Sequence, residues 1–330
     1  MPDGSPAKVL ITGGREVGGL DAFARGLAEG FRDLGIDSTV ISPAQAFQMH
    51  REMRDPAVLK ILSTTAVFAA PMARRAICVS HGIARADAQG WLKMFAIPAS
   101  YKLANWRSST RFVAVSDYVA VHLRGLFKVR VDAVIHNPLQ SIFFEPYEEG
   151  ERRYLTFVGR LIRAKNVHRL LPAMCELQKE NPGLRVCVIG DGPMRAELQA
   201  SFPGVEFTGN LNSLGVRAYL RQTKVFVSGT EMEALGIGYL EALSQGCAVA
   251  MPACGGGLEI ALDQIGKRIH LLPLSWDRAE VIAVLRRAWR TEYACVERAT
   301  ASLAACRAEA AARAYLTVDS APCECTGGAC

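Results

Sequence analysis

The 330-residue sequence predicts an α/β protein with two Rossmann-like domains, each a parallel sheet covered by helices on both faces. Short runs of apolar, β-branched residues alternate with amphipathic helical segments along most of the chain, which is typical of parallel sheets. The alternation stops once, near residues 140–152, and then starts again. Because ligands of such sheets bind beyond the carboxyl ends of the strands, we expect the site in a cleft between the two domains.

The first block of this alternation predicts an N-terminal domain over residues 1–145. The run "KVLITGG" at 8–14 is apolar and ends in glycines, and large apolar side chains recur at helical spacing after it. Further strands are predicted at "STVIS", "RAICVSH", "RFVAVSD" and "RVDAVIH". The segment "NPLQSIFFEPYEEGERR" combines Pro, Gly and a cluster of acids, and this composition predicts the domain boundary.

The second block predicts a C-terminal domain over residues 146–315. Strand-like "YLTFVGR", "LRVCVIGDG", "VEFTG" and "KVFVSG" alternate with helical patterns, and a long Ala-rich helical segment closes the domain. Residues 316–330 are expected to be a frayed tail. Its thiols (Cys323, Cys325 and Cys330) have no histidine nearby, so a metal or redox role is the weaker alternative.

Composition excludes several classes of protein. Hydrophobic residues make up 50% of the chain and charged residues 21%, as in globular domains. The start "MPDGSPAKVL" lacks the apolar core of a secretion signal, and no apolar run reaches the ~18 residues of a membrane span. Most of the 10 cysteines stand singly in apolar segments, which favours reduced thiols and a cytoplasmic location. The net charge of +6 is modest, and no nucleic-acid partner is expected.

The positive charge is concentrated in residues 71–111, where Asp87 is the only acid. The stretch "WLKMFAIPASYKLANWR" within it interleaves aromatic and basic side chains. An ordinary solvated surface explains this pattern. A face for an anionic acceptor, or for the inner surface of the cell membrane, explains it equally well. Both interpretations stay open.

Two strand-end segments carry residues suited to an anionic ligand. The loop "GGREVGG" at 13–19 leads directly into a helix, and its glycines let a ligand approach the backbone near a helix N-terminus. The loop does not fit G-x-G-x-x-G, so a dehydrogenase is poorly supported. Arg160 and Lys165 follow the first strand of the second domain, where two cations suit a diphosphate.

A third segment, "EMEALGIGYLEALSQGCAVAMPACGGGLEI" at 231–260, holds two carboxylates on either side of two glycines. We expect the helix to begin near 237–239, so that Glu233 lies in the loop before it. The amides of Leu235 and Gly236 would then face phosphate oxygens. Glu241 could accept hydrogen bonds from a ribose, and Glu233 from a polyol such as a sugar. Two solvated glutamates that stabilise the helix dipole are the alternative.

Taken in order, these segments resemble the retaining glycosyltransferases of family 4, which have the GT-B fold. The family's Gly-Arg-Leu…Lys element matches Gly159 to Lys165, and its paired glutamates and "GG..E" turn match residues 231–260. Other matching segments are Gly18–Gly19, His81–Gly82, "VSDYV" at 115–119, Ile135 with Asn137, and "GDGP" at 190–193. The resemblance runs from about residue 8 to about 260.

The resemblance implies a role for each site residue. Arg160 and Lys165 would hold the donor diphosphate, and Glu241 the ribose. Glu233, with the amides of Leu235 and Gly236, would hold the sugar and phosphate. Gly18 and Gly19 would let the first, acceptor-side domain close over the donor, and His81 would lie near the transferred sugar.

The function that follows is the transfer of a hexose from a nucleoside-diphosphate sugar to a hydroxyl group of a glycan, glycolipid or small molecule. The resemblance implies retention at the anomeric carbon, no metal and no cofactor, in polysaccharide or glycoconjugate biosynthesis. Two alternatives remain: a nucleotide-sugar epimerase of the same fold, and a catalytically silent scaffold that binds nucleotide sugars. The chain departs from the family pattern at Asn166, Gly229, Thr230 and Pro138.

Overall fold

The computed structural model describes residues 5–13, 18–82, 91–105, 110–147, 150–253, 255–259, 267–292 and 303–321. The chain divides into two compact units. The first contains residues 1–141 and 305–330, and the second contains residues 142–304. No helix among the described residues is both long and apolar enough to cross a bilayer. The tail cysteines Cys323, Cys325 and Cys330 lie outside the described residues.

The first unit is built on a six-stranded sheet in the order β2-β1-β3-β4-β5-β6, and every pair of neighbouring strands is parallel. Its strands are β1 (Lys8–Thr12), β2 (Asp37–Ile41), β3 (Val58–Ser63), β4 (Ala76–Ser80), β5 (Thr110–Ala114) and β6 (Ala133–Val134). Its helices are α1 (Gly19–Asp33), α2 (Pro43–Gln48), α3 (His50–Arg54), α4 (Trp91–Asn105) and α5 (Asp117–Leu126), with a 3₁₀ turn at Thr64–Met72. A further 3₁₀ turn, Ser141–Phe144, begins at the last residue of this segment and continues into the second unit.

The second unit has its own six-stranded parallel sheet, in the order β12-β11-β10-β7-β8-β9. Its strands are β7 (Tyr154–Val158), β8 (Arg185–Ile189), β9 (Glu206–Gly209), β10 (Thr223–Val227), β11 (Ala248–Pro252) and β12 (Ile269–Leu272). Its helices are α6 (Val167–Glu180), α7 (Arg195–Ser201), α8 (Ser213–Arg221), α9 (Ile237–Ser244) and α10 (Arg278–Arg290). Shorter 3₁₀ turns are Arg163–Lys165 and Gly255–Leu258.

The end of the chain returns to the first unit, whereas the sequence-based boundary assigned residues 146–315 to the second domain. Helix α11 (Ala308–Ser320) packs on α1, where Gly30 leaves no room for a side chain because a Cβ would lie 2.0 Å from the Ala308 carbonyl oxygen. Arg75, before β4, donates through Nε to both carboxylate oxygens of Asp319, at 2.9 and 3.0 Å. The Ala-rich composition predicted the helix but not its partner.

Glycines bring the strand-end loops of the second unit into backbone contact. Gly190, after β8, has φ 133°, and a Cβ there would lie 2.0 Å from the carbonyl oxygen of Gly159. A Cβ on Gly192 would lie 2.6 Å from the carbonyl oxygen of Leu161, and the Leu161 amide donates to Asp191 O at 2.9 Å. The "GDGP" turn therefore supports the loop that carries Arg160 and Lys165.

We expect Gly190→Ala to lower the free energy of unfolding by about 2–3 kcal/mol, because alanine is strained at this φ and its methyl group meets backbone. Urea unfolding measures the difference. Gly204→Ala is the matched control, since a Cβ on Gly204 meets no atom within 4 Å. Equal stabilities of the two variants would contradict the close packing of these loops.

Candidate functional site

Two of the residues singled out in the sequence lie together in the second unit. The Lys165 ammonium nitrogen is 3.0 Å from Glu233 Oε2, and the two side chains are 29% and 23% exposed. Lys165 ends the 3₁₀ turn after β7, and Glu233 lies in the loop between β10 and α9. Arg160, on the same loop as Lys165, is exposed and pairs with no residue in the described ranges. Three charged side chains thus follow the carboxyl ends of neighbouring strands β7 and β10.

The backbone of Glu233 is fixed by the glycine-rich turn at 255–258. The Gly256 amide donates to the Glu233 carbonyl oxygen at 2.9 Å. Gly255 has φ 63°, and a Cβ there would lie 1.9 Å from that same oxygen. A glycine is therefore required at this position, which explains the "GG..E" turn as a support for Glu233.

Helix α9 begins at Ile237, as the sequence predicted, so that Glu233 precedes it. Gly236 adopts the left-handed conformation at φ 79°, and a Cβ there would lie 2.4 Å from the ring of Tyr239. Within the described part of the chain, the Leu235 and Gly236 amides donate to no acceptor. No acidic side chain lies in the first turn of α9. This helix N-terminus can therefore bind an anionic ligand.

Glu241 lies on the second turn of α9, and its carboxylate finds no hydrogen-bond partner among the residues described. Burial raises the pKa of Glu241 to about 8. A carboxyl group of this kind is uncharged at neutral pH in the free protein, and it can still accept hydrogen bonds from a ligand's hydroxyl groups. The Glu241 side chain itself is half-buried.

The C-terminal end of α9 is held by two buried arginines. Arg268 donates to Leu243 O at 2.7 Å, and Arg152 donates to Gln245 O at 2.7 Å. Arg268 directly precedes β12, and Arg152 lies two residues before β7. Both are buried, and cations at a helix C-terminus compensate its unpaired carbonyl groups. The helix that carries Glu241 is thus fixed at the end opposite to Gly236.

Two departures from the family pattern compensate each other. Asn166, where the family has glycine, adopts the left-handed conformation at φ 51°, which asparagine tolerates better than most residues. A Cβ on Gly229 would lie 2.8 Å from the Asn166 Cβ. Position 229 must therefore be a glycine when position 166 carries a side chain. The Asn166 amide also donates to Gly229 O at 2.9 Å and thereby joins the two loops.

The sequence did not indicate a role for Glu231 or Trp276, which extend this connection. Asn166 Nδ2 donates to Glu231 Oε1 at 2.9 Å, and Trp276 Nε1 donates to the same oxygen at 2.7 Å. Glu231 is adjacent in sequence to the expected site, but Trp276 lies far along the chain with no motif around it. Only the fold brings Trp276 to the loop that carries Lys165.

The remaining residues of the sequence-based site belong to the first unit. His81 follows β4, its Nε2 atom is buried without a hydrogen-bond partner in the described residues, and its ring packs edge-on against Phe23 at 4.3 Å. Burial lowers the pKa of His81 to about 4, so the ring is neutral at pH 7. Gly18 precedes α1 and has φ 128°, a conformation that favours glycine. A Cβ at Gly18 or at Gly19 would meet no described atom within 4 Å. Residues 14–17 of this loop are outside the described ranges.

The basic stretch at 71–111 is only partly free for a ligand. Arg75 is paired with Asp319, and Arg111 lies 3.6 Å from Asp132. Arg74 and Lys102 are exposed. The side chains of Arg85, Lys93 and Arg107 are outside the described part of the chain, as are those of Trp91 and Trp106.

Comparison with known proteins finds a family match over most of the second unit. Residues 140–279 match the family model "Glycosyl transferases group 1". A GDP-mannose-dependent alpha-mannosyltransferase of Mycolicibacterium smegmatis is 29% identical over 195 residues, which cover 58% of this chain and 50% of that protein. A sulfoquinovosyl transferase of Arabidopsis thaliana is 35% identical over 122 residues, or 36% of this chain and 23% of that protein. The chain thus spans half or less of the length of these relatives.

Solved structures match nearly the whole chain. Sucrose-phosphate synthase from Thermosynechococcus elongatus superposes with a TM-score of 0.68 at 14% identity, covering 94% of this chain and 98% of that one. Anabaena HepE, in complex with UDP and glucose, superposes with a TM-score of 0.66 at 15% identity, covering 94% and 96%. The predicted fold class, two parallel α/β units of the GT-B type, is confirmed. Over residues 140–279, this chain is similar to the group 1 glycosyl transferases.

Proposed function

We propose that the protein transfers a sugar from a nucleoside-diphosphate sugar to a hydroxyl group of an acceptor. The observation that carries this proposal is the arrangement of Lys165 and Glu233 with the N-terminus of α9. A cation, a carboxylate and unpaired amides follow neighbouring strands of one sheet, where a diphosphate and the sugar attached to it can be bound together.

The relatives support this donor class. Their names specify GDP-mannose-dependent mannosyl transfer, sulfoquinovosyl transfer and glucosyl transfer to lipids. HepE binds UDP with glucose. These comparisons give no support to the epimerase alternative. A silent scaffold that binds nucleotide sugars would need the same charged groups, so an assay of sugar transfer separates it from the enzyme.

We propose transfer with retention and without a metal. The bond between the anomeric carbon and the diphosphate oxygen breaks, and the acceptor oxygen forms a bond to that carbon on the same face. The departing diphosphate takes the proton of the acceptor hydroxyl group. Arg160, Lys165 and the amides before α9 stabilise the charge that develops on the diphosphate, and Glu241 accepts hydrogen bonds from the ribose. Glu233 contacts the transferred sugar, whereas a role of His81 near that sugar stays a prediction of the resemblance. Glu233 does not serve as a nucleophile.

The acceptor that we propose is a glycan or a lipid-linked glycan, used in polysaccharide or glycoconjugate biosynthesis. Exposed Arg74 and Lys102 could contact an anionic acceptor or an anionic membrane surface. Charge reversal at these two positions should weaken binding to vesicles that contain phosphatidylserine. Arg75 is unsuitable for this test because its reversal would break the contact with Asp319. Unchanged vesicle binding would contradict the membrane surface.

The donor class can be tested by thermal shift with UDP, GDP, ADP and NAD. A ligand at about 100 times its dissociation constant stabilises the native state by about 2.7 kcal/mol, so one nucleoside diphosphate should raise Tm clearly. The corresponding nucleotide sugar is then incubated with sugar acceptors, and NMR of the product reads the anomeric configuration. An inverted product would contradict retention, and the absence of any nucleotide shift would contradict the donor site.

A further inference from the structure

Asn137 is a buried amide without a partner. It lies three residues after β6 in the first unit and is 5% exposed. Its Oδ1 atom is buried and accepts no hydrogen bond in the described part of the chain, and no hydrogen bond from its Nδ2 is found there either. Buried polar groups are normally satisfied, and an unsatisfied one destabilises the free protein. A group of this kind indicates a ligand or an ordered water molecule.

His81 provides a second unsatisfied atom in the same unit, its buried Nε2. Strand β5 separates β4, which precedes His81, from β6, which precedes Asn137. Both strands run parallel, so both residues lie at the carboxyl edge of the sheet, roughly 10 Å apart by the spacing of two strands.

Helix α1 packs against the His81 ring and against the segment that follows Asn137. Phe23 contacts the His81 ring, and Gly26, three residues later, faces the segment after Asn137. A Cβ on Gly26 would lie 3.2 Å from the carbonyl oxygen of Pro138. Positions three apart on a helix are neighbours on its surface, so His81 and the segment that follows Asn137 pack on the same turn of α1.

The other buried polar groups at this edge differ: the Ser80 hydroxyl, at the end of β4, also has no hydrogen-bond partner in the described residues, whereas that of Thr12 is satisfied. Thr12, at the end of β1, is fully buried, and its hydroxyl lies 3.0 Å from the Ser63 hydroxyl and accepts from the Ser63 amide at 2.7 Å. Unsatisfied polar groups are therefore not a general property of this sheet edge. They concentrate at and beyond the ends of β4 and β6.

We propose that Asn137, together with His81, forms a subsite in the first unit that binds an uncharged, hydroxyl-bearing ring of the acceptor. The amide offers two donors and an acceptor, and the imidazole offers one of each, which suits vicinal hydroxyl groups. Asp21 and Arg25, on the first turns of α1, pair with each other at 2.6 Å and leave no free charge there for a phosphate. The identity of the ligand as the acceptor rests on the proposed glycosyl transfer.

The test measures apo stability and ligand binding in full-length variants. Asn137→Leu removes the unsatisfied amide, so Tm of the free protein should stay equal or rise. Thr12→Val, the matched control at the same edge, removes satisfied hydrogen bonds and should lower Tm by about 2–4 °C. Ligand-observed NMR titrations use methyl α-glucoside and methyl α-mannoside as neutral probes and inorganic phosphate as the charged probe, with saturating UDP or GDP.

Wild type and Thr12→Val should bind one of the glycosides, and Asn137→Leu should weaken that binding by about tenfold. Phosphate should not compete. Asn137→Ala, which is smaller than asparagine, repeats the comparison if leucine does not fit. A fall in Tm for both Asn137 variants, unchanged glycoside binding, or no glycoside binding by wild type would each overturn the subsite. Binding of UDP or GDP without glycoside binding overturns the subsite alone, whereas the absence of nucleotide binding overturns the proposed donor site.

Discussion

Lys165→Ala should reduce kcat/KM for sugar transfer by about 10²–10³-fold, because the cation stabilises charge that develops on the leaving diphosphate. The stability should change little. The pair with Glu233 is partly exposed, and pairs of this kind contribute at most about 1 kcal/mol to the free energy of unfolding. Steady-state kinetics with varied donor and a thermal melt of the free protein measure the two quantities.

Lys179→Ala is the matched control for this experiment. Lys179 lies on α6, its side chain is 77% exposed, and it is 3.9 Å from Glu176. Its replacement should leave kcat/KM unchanged. A loss of less than about threefold for Lys165→Ala would contradict the role of this residue at the diphosphate.

The second large effect is the pH dependence of stability that Glu241 imposes. The pKa of Glu241 is about 8 in the folded protein and near 4.5 when exposed. Between these values the native state binds a proton that the unfolded state lacks, so stability falls as pH rises. The wild type should lose up to about 1.4 kcal/mol per pH unit relative to Glu241→Gln in this range. Urea unfolding of both proteins from pH 5 to pH 8 measures the difference.

Glu241→Gln also tests the role of Glu241 in nucleotide binding. Glutamine can still meet one ribose hydroxyl but cannot accept two hydrogen bonds through equivalent oxygens, so nucleotide binding should weaken by about tenfold. Glu176→Gln changes a partly exposed carboxylate on α6 and should keep the pH dependence of the wild type. Parallel stability curves for wild type and Glu241→Gln would show that Glu241 is ionised in the folded protein.

The alternation of strands and helices predicted the fold class because parallel sheets require apolar strands between covering helices. Three strands, β3, β11 and β12, were not predicted from this alternation. In β3 the polar Lys60 interrupts the apolar run, yet it is fully buried and donates to the Asp55 carbonyl oxygen at 2.5 Å. Burial lowers the pKa of Lys60 to about 8. The sequence does not show that the Lys60 side chain is buried through a contact with a nearby carbonyl oxygen, so the strand was missed.

The candidate site was predictable where motif spacing sets the geometry. The start of α9 follows from Gly236, and the pair of Lys165 with Glu233 follows from two loops after neighbouring strands. The contribution of Trp276 was not predictable, because its contact with Glu231 depends on the tertiary fold. The same holds for the free amide of Asn137, since a sequence shows which polar groups exist but not which remain unsatisfied.

The return of helix α11 to the first unit has a consequence for synthesis on the ribosome. The second unit is continuous, from Ile142 to Ala304, and can fold as soon as it emerges. The first unit must wait for α11, which is translated after all of the second unit. At about 5–20 residues per second this delay is roughly 10–30 s, during which the face of α1 around Gly30 is uncovered and open to chaperones. The half of the molecule that is made first is therefore completed last.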